Sequence, residues 1–339
     1  MRTILVTGGA GYIGSHTAKA LARSGYRPIA LDNLSTGHRW AVQWGPLLEG
    51  DLADREFVRR ALVENSVDAV IHFAASAEVA ESMADPHKYF RNNVVNSMCL
   101  LEAMHEAGVQ HIVFSSTCAT YGLPKRVPIS ETDPQIPANP YGESKLFVER
   151  ALDWHGRLSG LHWVALRYFN AAGADPDGEI GEVHNPESHL IPLVVRAALG
   201  ECPPVRILGT DYPTPDGTAI RDYVHVSDLA AAHVQALDYM WNGGASSAFN
   251  LGTGKGHSVR EVVAAVAKVS GSPVPFEEVE RRPGDPAVLV ADTRRARLSL
   301  GWKRTHSTLT SIVRTAWDWH AQAAPVKAQV PAAPVWAEI

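Results

Sequence analysis

The sequence predicts an α/β fold, a doubly wound parallel sheet followed by a smaller, mixed α/β C-terminal lobe. Three observations predict it. Strand-length apolar runs alternate with helical patterns through the first half. A glycine-rich turn joins the first of those strands to the first helix. From Ala171 the alternation gives way to loops rich in Pro, Gly, Asp and Asn.

The first strand is Ile4-Leu5-Val6. The turn Thr7-Gly8-Gly9-Ala10-Gly11-Tyr12-Ile13-Gly14 comes next and opens a helix over residues 15–23, closed by Gly25. Gly8, Gly11 and Gly14 let the chain turn tightly and let a pyrophosphate approach the backbone. The helix start then offers free N–H groups to the phosphates. Glycines at this spacing are weak evidence alone and strong evidence between a strand and a helix. This is a Rossmann-type dinucleotide turn, and it predicts a nicotinamide cofactor.

Residues 28–31 form the second strand, with Asp32 at its end. A carboxylate there hydrogen-bonds a ribose 2′-hydroxyl and repels a 2′-phosphate, which favours NAD over NADP. Arg39 lies close in sequence and keeps the phosphorylated cofactor as the alternative. Glu49-Gly50-Asp51-Leu52 comes after a further strand-like segment and places Asp51 to meet the adenine edge. The run 67–73 suits a buried parallel strand, 89–107 has helical periodicity ending at Gly108, and 110–115 is again a strand. A helix over 141–159 stops at Gly160, and 162–168 is the next strand. Ligands in such sheets bind beyond the carboxyl ends of the strands, so the chemistry belongs at residues 115–117 and at Phe169-Asn170.

In the second half, helices are expected over 190–199, 226–240, 259–269 and 309–320. Phe249-Asn250-Leu251-Gly252 reads as a strand returning to the first sheet. The expected organisation is a cofactor domain over 1–170 and a ligand lobe over 171–320 that crosses back at about 226–253. An Ala- and Pro-rich, loosely ordered tail is expected over 321–339.

Composition narrows the class. The chain has 339 residues, 45% apolar and 20% charged, as expected for a globular protein with a sizeable core. Net charge is −5 with no basic block, which speaks against nucleic-acid binding. No apolar run reaches the length of a membrane span, and the chain opens on a strand rather than a signal peptide. The three cysteines, Cys99, Cys118 and Cys202, show neither a disulfide framework nor a zinc spacing, and a reducing cytoplasm is the simplest compartment. The fifteen histidines include no His-Glu-x-x-His and no cluster with Cys, so surface or packing roles are expected and no metal.

Two Tyr-x-x-x-Lys pairs occur. Tyr121 and Lys125 enclose Gly122 and Pro124, which stop a helix, so they share no face. Tyr141 and Lys145 come after Asn139-Pro140, a helix start, and lie one turn apart on one face. Chance supplies roughly one such pair in a chain this long. Its place one helix after Ser115-Ser116-Thr117 gives it weight. A tyrosine hydroxyl titrates at about 10, too high for a base at neutral pH. A nearby ammonium and a positive nicotinamide ring are expected to lower it. Tyr141 would then take a substrate proton, Lys145 would hold a cofactor ribose, and Thr117 would hydrogen-bond the substrate oxygen.

These residues resemble the extended short-chain dehydrogenase/reductase superfamily. Arg167-Tyr168-Phe169-Asn170-Ala171-Ala172-Gly173, His189-Leu190-Ile191-Pro192, Gly217-Thr218-Ala219-Ile220-Arg221-Asp222-Tyr223-Val224-His225-Val226 and Arg281-Arg282-Pro283-Gly284-Asp285 are similar to segments of the UDP-glucose 4-epimerase family, and the resemblance runs from Thr3 to about Trp302. It implies a homodimer with tightly held NAD that interconverts UDP-glucose and UDP-galactose. It implies catalysis by Tyr141, Lys145 and Thr117. It implies cofactor contacts from Tyr12, Ile13, Asn33, Leu52, Phe73, Ala74, Ala75, Asn92, Ser115 and Tyr168 besides the glycines, Asp32 and Asp51. Asn170, Arg221 and Arg282 match residues that hold the diphosphate, Asp285 one on the ribose and Leu190 one near the uracil. His189 replaces an Asn of some members and is counted with the substrate contacts. Thr117 stands where many relatives have Ser, and Ala77 where some carry a pyrophosphate-contacting Lys. Leu289 lies at the family's size gate for the sugar 2-substituent, which leaves N-acetyl sugars open.

The rival activities differ at the residues just past the strand end. A nucleotide-sugar 4,6-dehydratase carries Thr-Asp-Glu there, whereas Thr117 is succeeded by Cys118-Ala119. The missing carboxylate disfavours dehydration, and decarboxylation with it. A 4-epimerase of UDP-pentoses, UDP-glucuronate or UDP-N-acetylhexosamines stays open, as does a non-catalytic NAD-sensing protein.

Overall fold

The computed structural model describes residues 1–282 and 284–322. Its centre is a seven-stranded sheet in the order β11-β6-β5-β4-β1-β2-β3, every neighbouring pair parallel. The strands are β1 (Thr3–Thr7), β2 (Arg27–Asp32), β3 (Leu47–Glu49), β4 (Ala69–His72), β5 (His111–Thr117), β6 (His162–Tyr168) and β11 (Ser247–Leu251). The chain runs outward from β1 to β3, then returns to the other side of β1 with β4. That reversal is the switch point at which a doubly wound sheet opens a crevice.

Because strand side chains alternate, Ile4 and Val6 face one side of the sheet and Leu5 the other. Both sides are covered, so the strands read as continuous apolar runs. One side packs on α1 (Tyr12–Arg23) and α8 (Val226–Trp241), through Leu21, Leu229 and Leu237. The other packs on α2 (Arg55–Glu64), α5 (Asn96–Ala107) and α6 (Pro140–Ser159), through Leu62, Leu100 and Leu152. Gly25, Gly108 and Gly160, which end α1, α5 and α6, all have positive φ, the conformation that glycine adopts without strain.

The expected helix over 89–107 is built differently. Two short helices, α3 (Val79–Ala84) and α4 (Pro86–Tyr89), precede it, the second capped by Asp85. A π-helical stretch, Phe90–Val95, then leads into α5. Asn93 explains the widened turn. Its carboxamide accepts the Ser76 N–H at 2.8 Å and donates to the Ser76 carbonyl at 2.9 Å and to Ser144 Oγ at 3.0 Å. The Asn93 carbonyl meanwhile accepts Ser97 Oγ at 2.5 Å. Such inserts recur near functional sites. The structure also adds α2, whose N-cap Asp54 accepts the Phe57 N–H.

The second core gathers α7 (Leu190–Ala198), α9 (Val259–Ser270) and α11 (Leu309–Gln322) around Val194, Val266 and Ile312. Small sheets flank it. β7 (Asn170–Ala172) pairs with β10 (Tyr223–His225), and β8 (Val205–Leu208) with β13 (Phe276–Val279). β9 (Ile220–Arg221) lies between β12 (His257–Ser258) and β14 (Val288–Leu289). A short α10 (Arg294–Ser299) packs on β11. The returning strand expected at 249–252 is β11, which pairs with β6. The expected loose tail lies outside the described residues, except Ala321 and Gln322, which end α11.

Candidate active site

The glycine-rich turn sits at the carboxyl end of β1, beside β4. Gly8 has φ +70°, and a Cβ on it would stand 2.7 Å from the Ala74 nitrogen. A Cβ on Gly14 would stand 2.1 Å from the Gly8 carbonyl oxygen. Helix α1 starts at Gly11 without a side-chain cap. Backbone N–H groups and bare glycines thus form a cradle that fits a dinucleotide diphosphate. Gly14→Ala must push the Gly8 backbone out of this cradle. The expected result is a folded protein that purifies without NAD, read from the absorbance of cofactor released on denaturation.

Around the cradle the predicted cofactor residues take distinct places. Asp32 accepts the Ala10 N–H at 3.0 Å and the Leu34 N–H at 2.8 Å, so it ties the turn to the end of β2. Burial pushes its carboxyl up. Asn33 donates to Asp51 at 2.7 Å, and Asp51 also accepts the Ala53 N–H at 2.8 Å. Arg39 pairs with Glu49 instead of standing free for a 2′-phosphate. Leu52 and Ile13 pack into the core clusters. Tyr12 donates its hydroxyl to the Gly173 carbonyl at 2.6 Å. The Phe73 and Ala74 N–H groups both donate to the Thr7 carbonyl, and half-buried Ala75 comes next. Asn92 donates to Ser76 Oγ at 3.1 Å.

Tyr141 and Lys145 lie on the first turns of α6. Asn139 caps this helix by accepting the Gly142 N–H at 2.8 Å, with Pro140 in the first turn. Gly142 permits the close approach of helix to strand end, because a Cβ there would stand 2.5 Å from the Ala119 carbonyl oxygen. Lys145 Nζ donates to the Ser115 carbonyl at 2.9 Å. The Ser115 hydroxyl bonds the Tyr168 hydroxyl. Thr117 Oγ1 accepts the Ala119 N–H at 3.1 Å.

The phenol's setting in the cofactor-free chain differs from half of the expectation. Tyr141 is pushed up to about 12 by burial, aided by Cys118 and Glu78, and only the Thr117 hydroxyl pulls it back. Lys145 exerts no such pull. Its ammonium is spent on the Ser115 carbonyl, and burial brings it down to about 7, where half its charge is gone. The lysine's titration gives a test. Unfolded, it titrates at about 10.4. Between about 7 and 10.4 the unfolded chain therefore binds the extra proton, and stability rises with pH across that window. Urea unfolding of cofactor-free protein is expected to show this rise, and Lys145→Met to lose it.

At the far end, Arg221 donates to Asp285 at 2.6 Å, and Asp285 also accepts the Tyr212 hydroxyl at 3.4 Å. Arg282 is exposed nearby in sequence. The Asn170 N–H donates to the Asp222 carbonyl at 2.9 Å. Leu289 lies opposite Arg221 in the strand register, packed with Cys118 against Tyr121 and Phe169. His189 caps α7, Leu190 begins it, and His189 meets Glu182 and Glu187 at 3.1 and 3.0 Å.

Sequence reasoning passed over Asp222. Its buried carboxylate accepts N–H groups from Thr253, Gly254 and Ala291 at 2.6, 2.9 and 3.1 Å. It thereby ties two segments to the one that carries Arg221, and its signal was its place inside Arg221-Asp222-Tyr223. Glu78, which acts on Tyr141, carried no local signal.

A model of the NAD dependent epimerase/dehydratase family matches residues 4–252. A UDP-glucose 4-epimerase of Rhizobium leguminosarum bv. trifolii is 52% identical over 320 residues, 94% of this chain and 98% of its own. Among solved structures, UDP-glucose 4-epimerase from Brucella ovis in complex with NAD superposes with a TM-score of 0.92 at 51% identity, covering 94% of this chain and 98% of that one. The Stenotrophomonas maltophila UDP-glucose-4-epimerase with bound NAD and formylated UDP-arabinopyranose gives 0.93 at 41% identity, covering 96% and 100%.

Proposed function

Since the chain belongs to the NAD dependent epimerase/dehydratase family, we propose that it inverts C4 of a UDP-hexose, interconverting UDP-glucose and UDP-galactose, with Tyr141, Lys145 and Thr117 as its catalytic set. The observation that carries this reading is the common ledge. The glycine cradle, the β5 end with Thr117, and the Tyr141–Lys145 face of α6 all border the carboxyl edge of one sheet. Residues 1–170 hold the cofactor and residues 171–320 grip the nucleotide sugar.

Bound NAD supplies a reversible hydride acceptor for C4, so that a 4-keto sugar separates the two half-reactions. The chain's own residues do the rest. Tyr141, its phenol brought down by the positive ring of bound NAD, would take the proton of the 4-hydroxyl and later return one to the inverted oxygen. Thr117, with its oxygen held by the Ala119 N–H, keeps its own O–H to donate to the substrate oxygen. Lys145, anchored on Ser115, holds a cofactor ribose hydroxyl. Gly8, Gly11 and Gly14 seat the diphosphate of the cofactor, and Asp32 braces the turn. Arg221, Arg282 and Asn170 hold the substrate diphosphate through rigid guanidinium donors and an amide. Asp285 and Leu190 receive the ribose and uracil. A firm grip confined to the nucleotide end leaves the sugar free to present its other face.

The test uses purified protein with UDP-galactose and no added NAD. UDP-glucose is expected to accumulate to equilibrium. Inert substrate over bound cofactor would assign the chain to NAD sensing instead. A panel of UDP-pentoses, UDP-glucuronate and UDP-N-acetylhexosamines then ranks the sugars past Leu289.

The working unit is a homodimer through α5 and α6. Phe147, Trp154 and Leu158 fall on one face of α6 and are 48%, 58% and 78% exposed, a costly apolar stripe for a monomer. Trp154→Glu is expected to halve the mass measured by light scattering. Three unpaired cysteines among the described residues suit a reducing, cytoplasmic setting. No helix among those residues is long and apolar enough to cross a membrane.

A further inference from the structure

The loop between β7 and α7 carries Glu182, His184, Glu187 and His189 within eight residues, and the fold brings all four together, the carboxylates buried and the imidazoles partly exposed. Each offers one ligand atom, and these atoms lie within 4.8 Å of one another. His184 Nδ1 stands 3.2 Å from Glu182 Oε1 and 3.8 Å from Glu187 Oε2. His189 Nδ1 stands 3.1 Å from Glu182 Oε1 and 3.0 Å from Glu187 Oε1. A tetrahedral centre with bonds of about 2.05 Å separates its ligand atoms by about 3.3 Å. The two carboxylates are 4% and 2% exposed, and no Lys or Arg pairs with either among the described residues. Two desolvated carboxylates call for two positive charges.

Two protons on the imidazoles would satisfy the charge count, and His189 Nδ1 bonds Glu187 Oε1 at 3.0 Å, but His184 lacks such a bond. His184 Nδ1 is buried and has no hydrogen-bond partner, despite its short contact with Glu182. A proton on that nitrogen would make no hydrogen bond to either carboxylate. An unprotonated nitrogen there is a free ligand atom within 4.8 Å of the other three. His189 turns its second nitrogen, Nε2, towards Glu78 at 3.9 Å, where an outer carboxylate commonly orients a ligating imidazole. Imidazole and carboxylate together select a divalent cation of the zinc type, and two carboxylates with two neutral imidazoles neutralise it.

We propose that Glu182, His184, Glu187 and His189 form a structural zinc site that fastens this loop to the first turn of α7. His189 is shared with the proposed substrate contacts, but the proposal is tested by metal content and not by turnover, so its failure and that of the catalytic reading are distinguishable.

The experiment takes the full-length, NAD-loaded protein, treats it with a chelator, dialyses it and titrates it with zinc chloride by calorimetry. One zinc per chain is expected, with a Tm rise of a few degrees at about 100-fold excess over Kd. The double variant H184Q/H189Q is expected to bind more than about 100-fold more weakly, since even outer-sphere changes cost 10- to 100-fold. X-ray absorption at the zinc edge on the wild-type protein is expected to show two imidazoles and carboxylate oxygen, a readout that does not need the variant to fold. Absence of a one-to-one zinc overturns the proposal. So does zinc retained by H184Q/H189Q, or a wild-type spectrum without two imidazoles.

Discussion

Tyr141→Phe is expected to lower kcat for UDP-galactose by about 10²- to 10⁴-fold while NAD stays bound. The substitution removes one oxygen and leaves the rest in place. The ring still meets Tyr89 edge-on, with centroids 6.3 Å apart. The cap of α6 rests on Asn139 and Gly142, which the change does not touch. The glycine cradle belongs to another strand. A loss of turnover with unchanged circular dichroism and unchanged bound cofactor is therefore a loss of proton transfer. Thr117→Ala probes the same oxygen from the other side. Because Thr117 is the group that pulls the Tyr141 phenol down, its removal should move the rising, low-pH limb of the kcat profile to higher pH as well as reduce kcat. Unchanged turnover in the phenylalanine variant would refute the assignment.

Glu149→Ala is expected to cost about 3–5 kcal/mol of stability, the loss seen when one partner of a buried ion pair is removed. Glu149 and Arg167 are 5% and 7% exposed in their side chains and bond at 2.6 Å. The guanidinium also donates to the Tyr121 hydroxyl at 2.9 Å, which in turn donates to Asn250 at 2.7 Å. Ser116 and Gln135 complete the carboxylate's contacts. The network thus joins α6, β5, β6 and β11 beneath the reacting edge. Glu149 lies two turns after Tyr141 on the same helix, so its loss should loosen the base as well as the core. Urea midpoints measure the stability term. The double variant E149A/R167M removes the stranded charge and is expected to recover most of it. A midpoint within error of wild type for Glu149→Ala would refute the account.

Much of the frame is written locally. The apolar runs around Val6, Val70, Val113 and Leu166 are strands because both faces of the sheet are covered. The glycines at 25, 108 and 160 mark helix ends because only they take φ near +70° to +80° freely. The Tyr141–Lys145 spacing could be placed on a helix face because Asn139-Pro140 announces the start. The hidden part is tertiary. Asn93 widens a turn through partners 17 and 51 residues away, which no periodicity records. The strands β9, β12 and β14 have two residues each, too short to carry an alternation. The phenol's environment depends on Glu78, Thr117 and Cys118, brought to α6 from two other segments. Glu182 to His189 showed no metal pattern because its spacing matches none of the familiar motifs.

The return of β11 to the outer edge of β6, with α8 lying on α1, has a consequence for biosynthesis. A ribosome that has released residues 1–170 has released the entire dinucleotide cradle, yet β6 still shows an open row of amide and carbonyl groups. The apolar flank of α1 waits uncovered as well. Nascent chains at that stage are primed to pair with one another. A shortened gene ending near 170 is therefore expected to yield insoluble product.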